Sequence, residues 1–155
     1  MKRHPIFARF YEWLSQKVDV LEREYRVELA SGARGRVLEL GAGNGLNFEH
    51  YRDASLVVAL EPEPGMLRHA RPRAAAAPVP VRRVQGAGER LPFPDASFDT
   101  VVVSLVLCSV RDARRVADEL RRVLRPRGEM RLFEHVRARD PKAARWQDRF
   151  ATPWS

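Results

Sequence analysis

Residues 37–45 read Val-Leu-Glu-Leu-Gly-Ala-Gly-Asn-Gly, an apolar run rich in β-formers that ends in glycines at alternate positions, Gly41, Gly43 and Gly45. Such a run predicts a buried parallel strand. The glycines mark a tight turn where backbone approaches a ligand with no side chain in the way. Glu39 puts a carboxylate inside the strand, next to the turn. Dinucleotide folds carry G-x-G-x-x-G at this point, so that a helix N-terminus reaches a pyrophosphate. Here the third glycine comes one residue early and Leu46 stands in the expected place. An acidic residue beside a G-x-G-x-G turn suits a cationic ligand better than a pyrophosphate.

The chain beyond the turn sharpens the reading. Residues 46–51 predict a short helix, and residues 55–61 a second apolar strand ending in the carboxylate of Glu61. An acidic residue at the end of the second strand, roughly 20 residues past the glycines, is placed to bind the two ribose hydroxyls of an adenosine. Pro62, Glu63 and Pro64 break that strand, and Met66-Leu67 begin a helix whose side chains would cover an adenine. A third extended segment runs from Val81 to Gly88, and a fourth strand from Thr100 to Leu107. Residues 111–124 predict a helix, Arg125-Pro-Arg-Gly128 its turn, and residues 129–136 a fifth strand. Strand and helix alternate over short connections, which predicts an α/β fold on a mostly parallel sheet of about five strands with flanking helices.

Together the G-x-G-x-G turn, the acidic end of the second strand and the segment Leu91-Pro-Phe-Pro-Asp-Ala-Ser-Phe-Asp99 resemble the class I S-adenosylmethionine-dependent methyltransferases, in the methyltransferase type 11 group. Leu105-Val-Leu-Cys-Ser-Val110, Phe133-Glu-His-Val136 and Trp146-Gln147 resemble the methyltransferase-like thiol methyltransferases. Bacterial phospholipid and quinone methyltransferases look similar through the first half only. The resemblance implies a Rossmann-like fold, with S-adenosylmethionine as cofactor and a small molecule as methyl acceptor. It places Glu39, Gly41, Ala42, Gly43, Asn44 and Gly45 at the methionine end of the cofactor. Glu61 and Pro62 fall at the ribose, Met66 against the adenine, Gly88 and Glu89 at the adenine edge, and Ser104 nearby. Where the group usually has Gly-Asp-Ala, this chain has Gly86-Ala87-Gly88, so the common acceptor for the adenine amino group is missing. Tyr11, Leu105, Cys108 and Ser109 are expected to line the acceptor, and His135 or Glu134 to assist its deprotonation.

Plainer readings stand beside these. Glu39 could be a buried carboxylate paired with an arginine, Glu61 an ordinary strand-end charge, Met66 core, and His135 a strand-end histidine satisfied by solvent or backbone. Cys108 is the only cysteine, which excludes an internal disulfide and fits a reducing compartment. Methyl transfer needs no covalent enzyme intermediate, so a small buried residue is the expected role for it.

The chain has 155 residues, 45% hydrophobic and 31% charged, enough for one domain but short for the fold. It divides into an N-terminal lid helix (1–31), an α/β cofactor-binding core (35–136) and a short helical tail (137–155). No apolar run of about 18 residues and no signal peptide are present, which points to a cytoplasmic protein. A net charge of +8 raises nucleic acid as a partner. The arginines, however, spread over helix faces, and the fourth strand lacks the Asn/Asp-Pro-Pro-aromatic ending of nucleic acid amino methyltransferases. Ile6, Phe7, Phe10, Tyr11, Trp13 and Leu14 form an aromatic helical face, open to a lid role or to peripheral membrane contact. A complete class I domain adds a hairpin beside the fifth strand. It is absent here, leaving an edge for the tail or for a second copy in a homodimer. A thiol is the favoured acceptor, and the alternatives are a cofactor-binding but catalytically incomplete domain, a phospholipid or quinone methyltransferase, a nicotinamide-dependent oxidoreductase and a nucleic-acid module.

Overall fold

The computed structural model describes residues 22–134 together with Asp140 and Arg145. Strands β1 (Arg34–Leu40), β2 (Asp53–Glu61), β3 (Val81–Gln85), β4 (Phe98–Ser104) and β5 (Leu124–Phe133) form one sheet in the order β3-β2-β1-β4-β5. Every pairing is parallel, so all five strands deliver their C-terminal ends to the same edge. Helices α1 (Pro64–Ala76) and α2 (Ala113–Val123) and a 3-10 turn at Phe48–His50 connect them, and residues 22–31 are helical. The α/β architecture expected from the alternating pattern is the one present.

Alternation along the strands sorts the core into two layers. Val37, Val57, Ala59 and Val102 face Leu29, Phe48, Tyr51 and Ala70 on one side of the sheet. Leu38, Leu40, Val58, Leu60, Val101 and Val103 face Phe98, Val116, Leu120 and Val123 on the other. Strand neighbours in register share a face, so Glu39, opposite both Ala59 and Val102, points to the first layer. The helical residues 22–31 are tied down on that side. Arg131 on β5 donates to the carbonyls of Glu28 and Leu29, and Tyr25 stacks on Phe133 at 4.9 Å.

Several boundaries differ from expectation for identifiable reasons. α1 begins at Pro64, not Met66, because proline suits the first helical position and Glu63 caps the helix, accepting from the Gly65 N–H. It also continues through Pro72 to Ala76. β4 ends at Ser104, three residues early, because Leu105 turns left-handed (φ 55°). β5 opens at Leu124, but residues 125–128 bulge out of register: Phe98 faces Leu124 while Thr100 already faces Glu129. The expected turn at residues 125–128 is that bulge. Val81–Gln85 alone of the third segment is strand.

The segment 91–99 is a staple. Arg122 donates to the carbonyls of Leu91 and Phe93 and to Asp95, while Glu119 accepts from the Leu91 N–H at 2.7 Å. Phe93 and Phe98 meet edge to face, and Asp99 accepts from the Arg36 N–H and from Arg125. An open basin of about 820 Å³ lies beside this segment and α2. It is walled by Arg115, Glu119 and Arg122, away from the glycine turn.

Hydrogen bonds from Arg122 draw the Glu119 carboxyl down to about 2. A depressed carboxylate contributes stability that is present above its ordinary value of 4.5 and lost as pH falls toward 2. Glu119→Gln should therefore lower Tm at neutral pH and flatten the acid limb of a Tm-against-pH curve over that window. An acid limb that coincides with the wild type's would show that the staple bears no load.

Candidate functional site

The C-terminal edge of the sheet gathers the residues that the sequence singled out. β1 releases the chain at Leu40 into a turn in which Gly41, Gly43 and Gly45 all take positive φ (64°, 55° and 83°). L-side chains rarely adopt that region. The turn is fastened to β2, with the Ala42 N–H donating to the Leu60 carbonyl, and closed on itself from Gly45 N–H to the Ala42 carbonyl. The three glycines differ in what surrounds them. A Cβ at Gly41 would run into Val106, and one at Gly45 would lie 2.5 Å from the Phe48 ring. At Gly43 it would make only ordinary contacts, with the Met66 methyl at 3.6 Å and the Gly41 carbonyl oxygen at 4.0 Å.

Glu61 ends β2 beside Gly43, 8% exposed. Its Oε2 accepts from the Gly43 N–H at 3.0 Å and its Oε1 from the Glu63 N–H at 2.9 Å. Burial pushes its carboxyl up, and these two N–H groups pull it partly back. Met66, buried at the start of α1, covers the same turn, and Pro62 is exposed next to Glu61. Asn44 is buried, and its carbonyl accepts from Arg73 of α1.

Glu39 sits one layer deeper, 2% exposed. Its Oε1 accepts from Asn47 Nδ2 at 2.9 Å and its Oε2 from the Tyr51 hydroxyl at 3.0 Å. Arg26 donates to Asn47 Oδ1 and to Glu22, so its hydrogen bond goes to the partner of the carboxylate while its charge acts on Glu39 across space. Burial raises the Glu39 carboxyl to about 7, against the opposing pull of Asn47, Tyr51 and Arg26. It drives the Tyr51 hydroxyl upward as well, with the Glu39 charge adding to the effect. Asn47, Tyr51 and Arg26 are absent from the residues that the sequence marks. Nothing in their spacing distinguishes them, because the 3-10 turn and the helical residues 22–31 bring them together only in three dimensions.

On the other side of the turn, β4 and β5 end together. The Leu105 N–H donates to the Phe133 carbonyl, and Glu134 Oε1 accepts from the N–H groups of both Val106 and Leu107. Ser104 Oγ is buried with no hydrogen-bond partner among the described residues. Cys108 is exposed, contrary to the expected buried role, because the chain has left the sheet at Leu105. Ser109 beside it is exposed too, with Sγ and Oγ 3.6 Å apart.

Glu89 turns its carboxylate to the Arg111 N–H at 2.9 Å. Gly88 is buried, with the position of a Cβ 3.2 Å from both Leu40 and Val116, so it is also a packing glycine. Tyr11 and His135 lie outside the described residues, as do the helical reading of residues 1–21 and most of the tail. The structure thus brings Glu39, the three glycines, Glu61, Met66, Ser104, Leu105 and Glu134 to one end of the sheet.

A parallel sheet in this order, with a glycine turn after β1 and a carboxylate at the end of β2, defines a Rossmann-like nucleotide-type site. The family model described as "Methyltransferase domain" matches residues 38–132, and the chain belongs to that family. It is 37% identical over 150 residues to the thiol S-methyltransferase TMT1B of Homo sapiens, covering 90% of this chain and 61% of that protein. It is 34% identical to the phosphatidylethanolamine N-methyltransferase of Cereibacter sphaeroides, covering 86% of this chain and 68% of that one. Among solved structures, an S-adenosylmethionine dependent methyltransferase from Mesorhizobium loti superposes with a TM-score of 0.58 at 29% identity. That match covers 70% of this chain and 51% of the other. The chain spans 61% of the human TMT1B and 54% and 62% of its mouse and rat counterparts.

Proposed function

We propose that the chain is an S-adenosylmethionine-dependent methyltransferase acting on a small acceptor, with a thiol favoured over a lipid amine or a quinone carbon. The observation that carries it is the pair formed by Gly43 and Glu61. The first is a left-handed glycine where a Cβ would meet no crowding, only ordinary contacts. The second is a nearly buried carboxylate fixed beside it by two backbone N–H groups. These residues fit the cofactor. Each Glu61 oxygen accepts one hydrogen bond and keeps a lone pair for a ribose hydroxyl, and Ser104 Oγ is buried with no hydrogen-bond partner among the described residues. The turn at residues 41–45 would hold the methionine end, Glu61 and Pro62 the ribose, and Met66 the adenine. Glu39 would contribute its charge from the layer below, through Asn47.

When bound, S-adenosylmethionine supplies a methyl group on a positively charged sulfur. The chain's own residues have to align the acceptor with it and keep water out. The acceptor would approach over the ends of β4 and β5, lined by Leu105, Cys108 and Ser109 and by Tyr11. A thiol of pKa about 8.5 is a few per cent thiolate at neutral pH. His135 is the residue proposed to take the thiol proton, so that the thiolate would accept the methyl group as the methyl–sulfonium bond breaks and S-adenosylhomocysteine leaves.

The thiol reading is supported by the sequence likeness to the human thiol S-methyltransferase, and a lipid amine by the likeness to the bacterial enzyme. No helix among the described residues is long and apolar enough to cross a membrane, and peripheral contact through residues 1–31 is the alternative to a lid role for that segment. A homodimer would place a second copy along the outer edge of β5, where Leu132 is 55% exposed.

Calorimetric titration tests the reading. S-adenosylmethionine and S-adenosylhomocysteine should bind at micromolar levels and NAD should not. Thiols, amines and quinols would then be screened for turnover. A folded chain that binds neither sulfur ligand would overturn the reading, and binding without turnover of any acceptor would favour the catalytically incomplete alternative.

A further inference from the structure

We propose that Glu134 is a positioning residue that builds one wall of the site by holding the loop after β4, in place of the proton-accepting role expected for it. The inference rests on the methyltransferase reading for its consequence, though not for its geometry.

The loop leaves β4 under strain. Leu105 is a γ-branched residue at φ 55°, a conformation that persists only where its surroundings enforce it. Three consecutive backbone N–H groups are used to enforce it. That of Leu105 donates to the Phe133 carbonyl at 2.8 Å, and those of Val106 and Leu107 donate to Glu134 Oε1 at 2.8 and 3.1 Å. A single carboxylate oxygen therefore closes the exit of β4 onto the exit of β5. Hydrogen bonds to a charged acceptor are stronger than those between neutral groups, which suits the task.

The consequence lies across the site. The Val106 side chain occupies the space where Gly41 would carry a Cβ, so the two backbones approach through that gap. Fixing the Val106 N–H fixes the isopropyl group against the glycine turn. At its far end the same loop is held by a second carboxylate, since Glu89 accepts from the Arg111 N–H. Between these anchors Cys108 and Ser109 are presented outward, and Ser104 Oγ lies buried at the loop's root with no partner among the described residues. One oxygen of Glu134 is taken up by two backbone donors, so the orientation of its carboxylate is set by the loop it holds. Glu134 is thus committed to architecture.

Glu134→Ala and Glu134→Gln separate the roles. Glutamine keeps an oxygen that can accept both N–H bonds but cannot serve as a base. Amide hydrogen exchange at Val106 and Leu107 should speed at least tenfold in Glu134→Ala and stay within about threefold of wild type in Glu134→Gln. Glu89→Ala should loosen Arg111 and leave those two amides protected. Affinity for S-adenosylhomocysteine should fall several-fold in Glu134→Ala and recover in Glu134→Gln. In turnover of a simple alkanethiol the glutamine variant should keep the wild-type pH profile.

Unchanged exchange in the alanine variant would overturn the proposal. So would a glutamine variant as impaired as alanine, with the basic-group limb of its pH profile lost. If the alanine variant does not fold, exchange and pH profile in the glutamine variant still decide. Failure of the wild type to bind S-adenosylhomocysteine, with the exchange pattern as expected, would retire the methyltransferase reading and leave the clamp standing.

Discussion

Gly43→Ala should leave the protein folded and cost it its cofactor. Adding a methyl group at φ 55° costs about 1–2 kcal/mol, because L-residues crowd their own carbonyl there. Tertiary crowding adds little, since the nearest atom is the flexible Met66 terminus at 3.6 Å. A Tm loss of roughly 2–8 °C is expected for a domain of this size. The methyl group would, however, project toward the face beside Glu61, where the proposed site brings the cofactor close to backbone. A loss of affinity of at least about 100-fold, roughly 2.7 kcal/mol, is expected by calorimetry.

Gly45→Ala is the control with the opposite emphasis. Its φ is 83°, and the new Cβ would sit 2.5 Å from a Phe48 ring that is fully buried and has nowhere to move. Overpacking of about 1–3 kcal/mol then adds to the backbone cost, so this variant should lose roughly twice the Tm of Gly43→Ala. Gly43→Ala with wild-type affinity for S-adenosylhomocysteine would mean that no ligand crosses the turn at Gly43, and the proposed site would be wrong.

The contrast between these glycines shows what a sequence discloses. The G-x-G-x-G spacing after an apolar run identifies the turn, because strand periodicity and left-handed glycine are local properties. Which glycine faces Val106, which faces Phe48 and which is uncrowded depends on distant chain or on a side chain's rotamer. Glu61 is legible for the same local reason, as a carboxylate at a strand end at a fixed distance from the turn. Glu39 is legible as a buried acid, but its partners are not. Asn47 and Tyr51 come from the neighbourhood of a 3-10 turn too short to carry a periodic signal, and Arg26 from a helix on another part of the chain. Sequence misplaces Cys108 because the apolar run 100–107 looks like continuous strand. Only the convergence of Phe133 and Glu134 on the amides of residues 105–107 shows why the strand must stop at Ser104. The segment 91–99 stands out in sequence as a family mark. Its physical content is the Arg122 and Glu119 staple, which joins it to α2.

Glu39→Gln should make the protein more stable above neutral pH. The Glu39 carboxyl lies near 7, against an ordinary 4.5, mainly because burial disfavours its charge. In the folded state it therefore holds its proton through a range where the unfolded chain has released it. Stability from this group is fully present below about 4.5 and is lost as pH rises through 7. The size of the loss is on the order of 3 kcal/mol. Glutamine imitates the protonated acid without titrating. Its oxygen can accept from Asn47 Nδ2, and its amide can donate to the Tyr51 oxygen once that hydroxyl turns over, as the protonated acid would. Glu61 is also raised by burial and would add a slope of the same sign in both proteins, which makes the difference between the two curves the quantity to read. The Tm of wild type should fall relative to that of Glu39→Gln as pH rises from about 4.5 to about 8, ending several degrees lower, and parallel curves would show that the carboxyl is not raised in the folded state. Cofactor affinity should move the other way. If the Glu39 charge acts on a bound cation through Asn47, the glutamine variant trades binding for stability, and the wild type keeps a costly buried carboxylate because the site uses it.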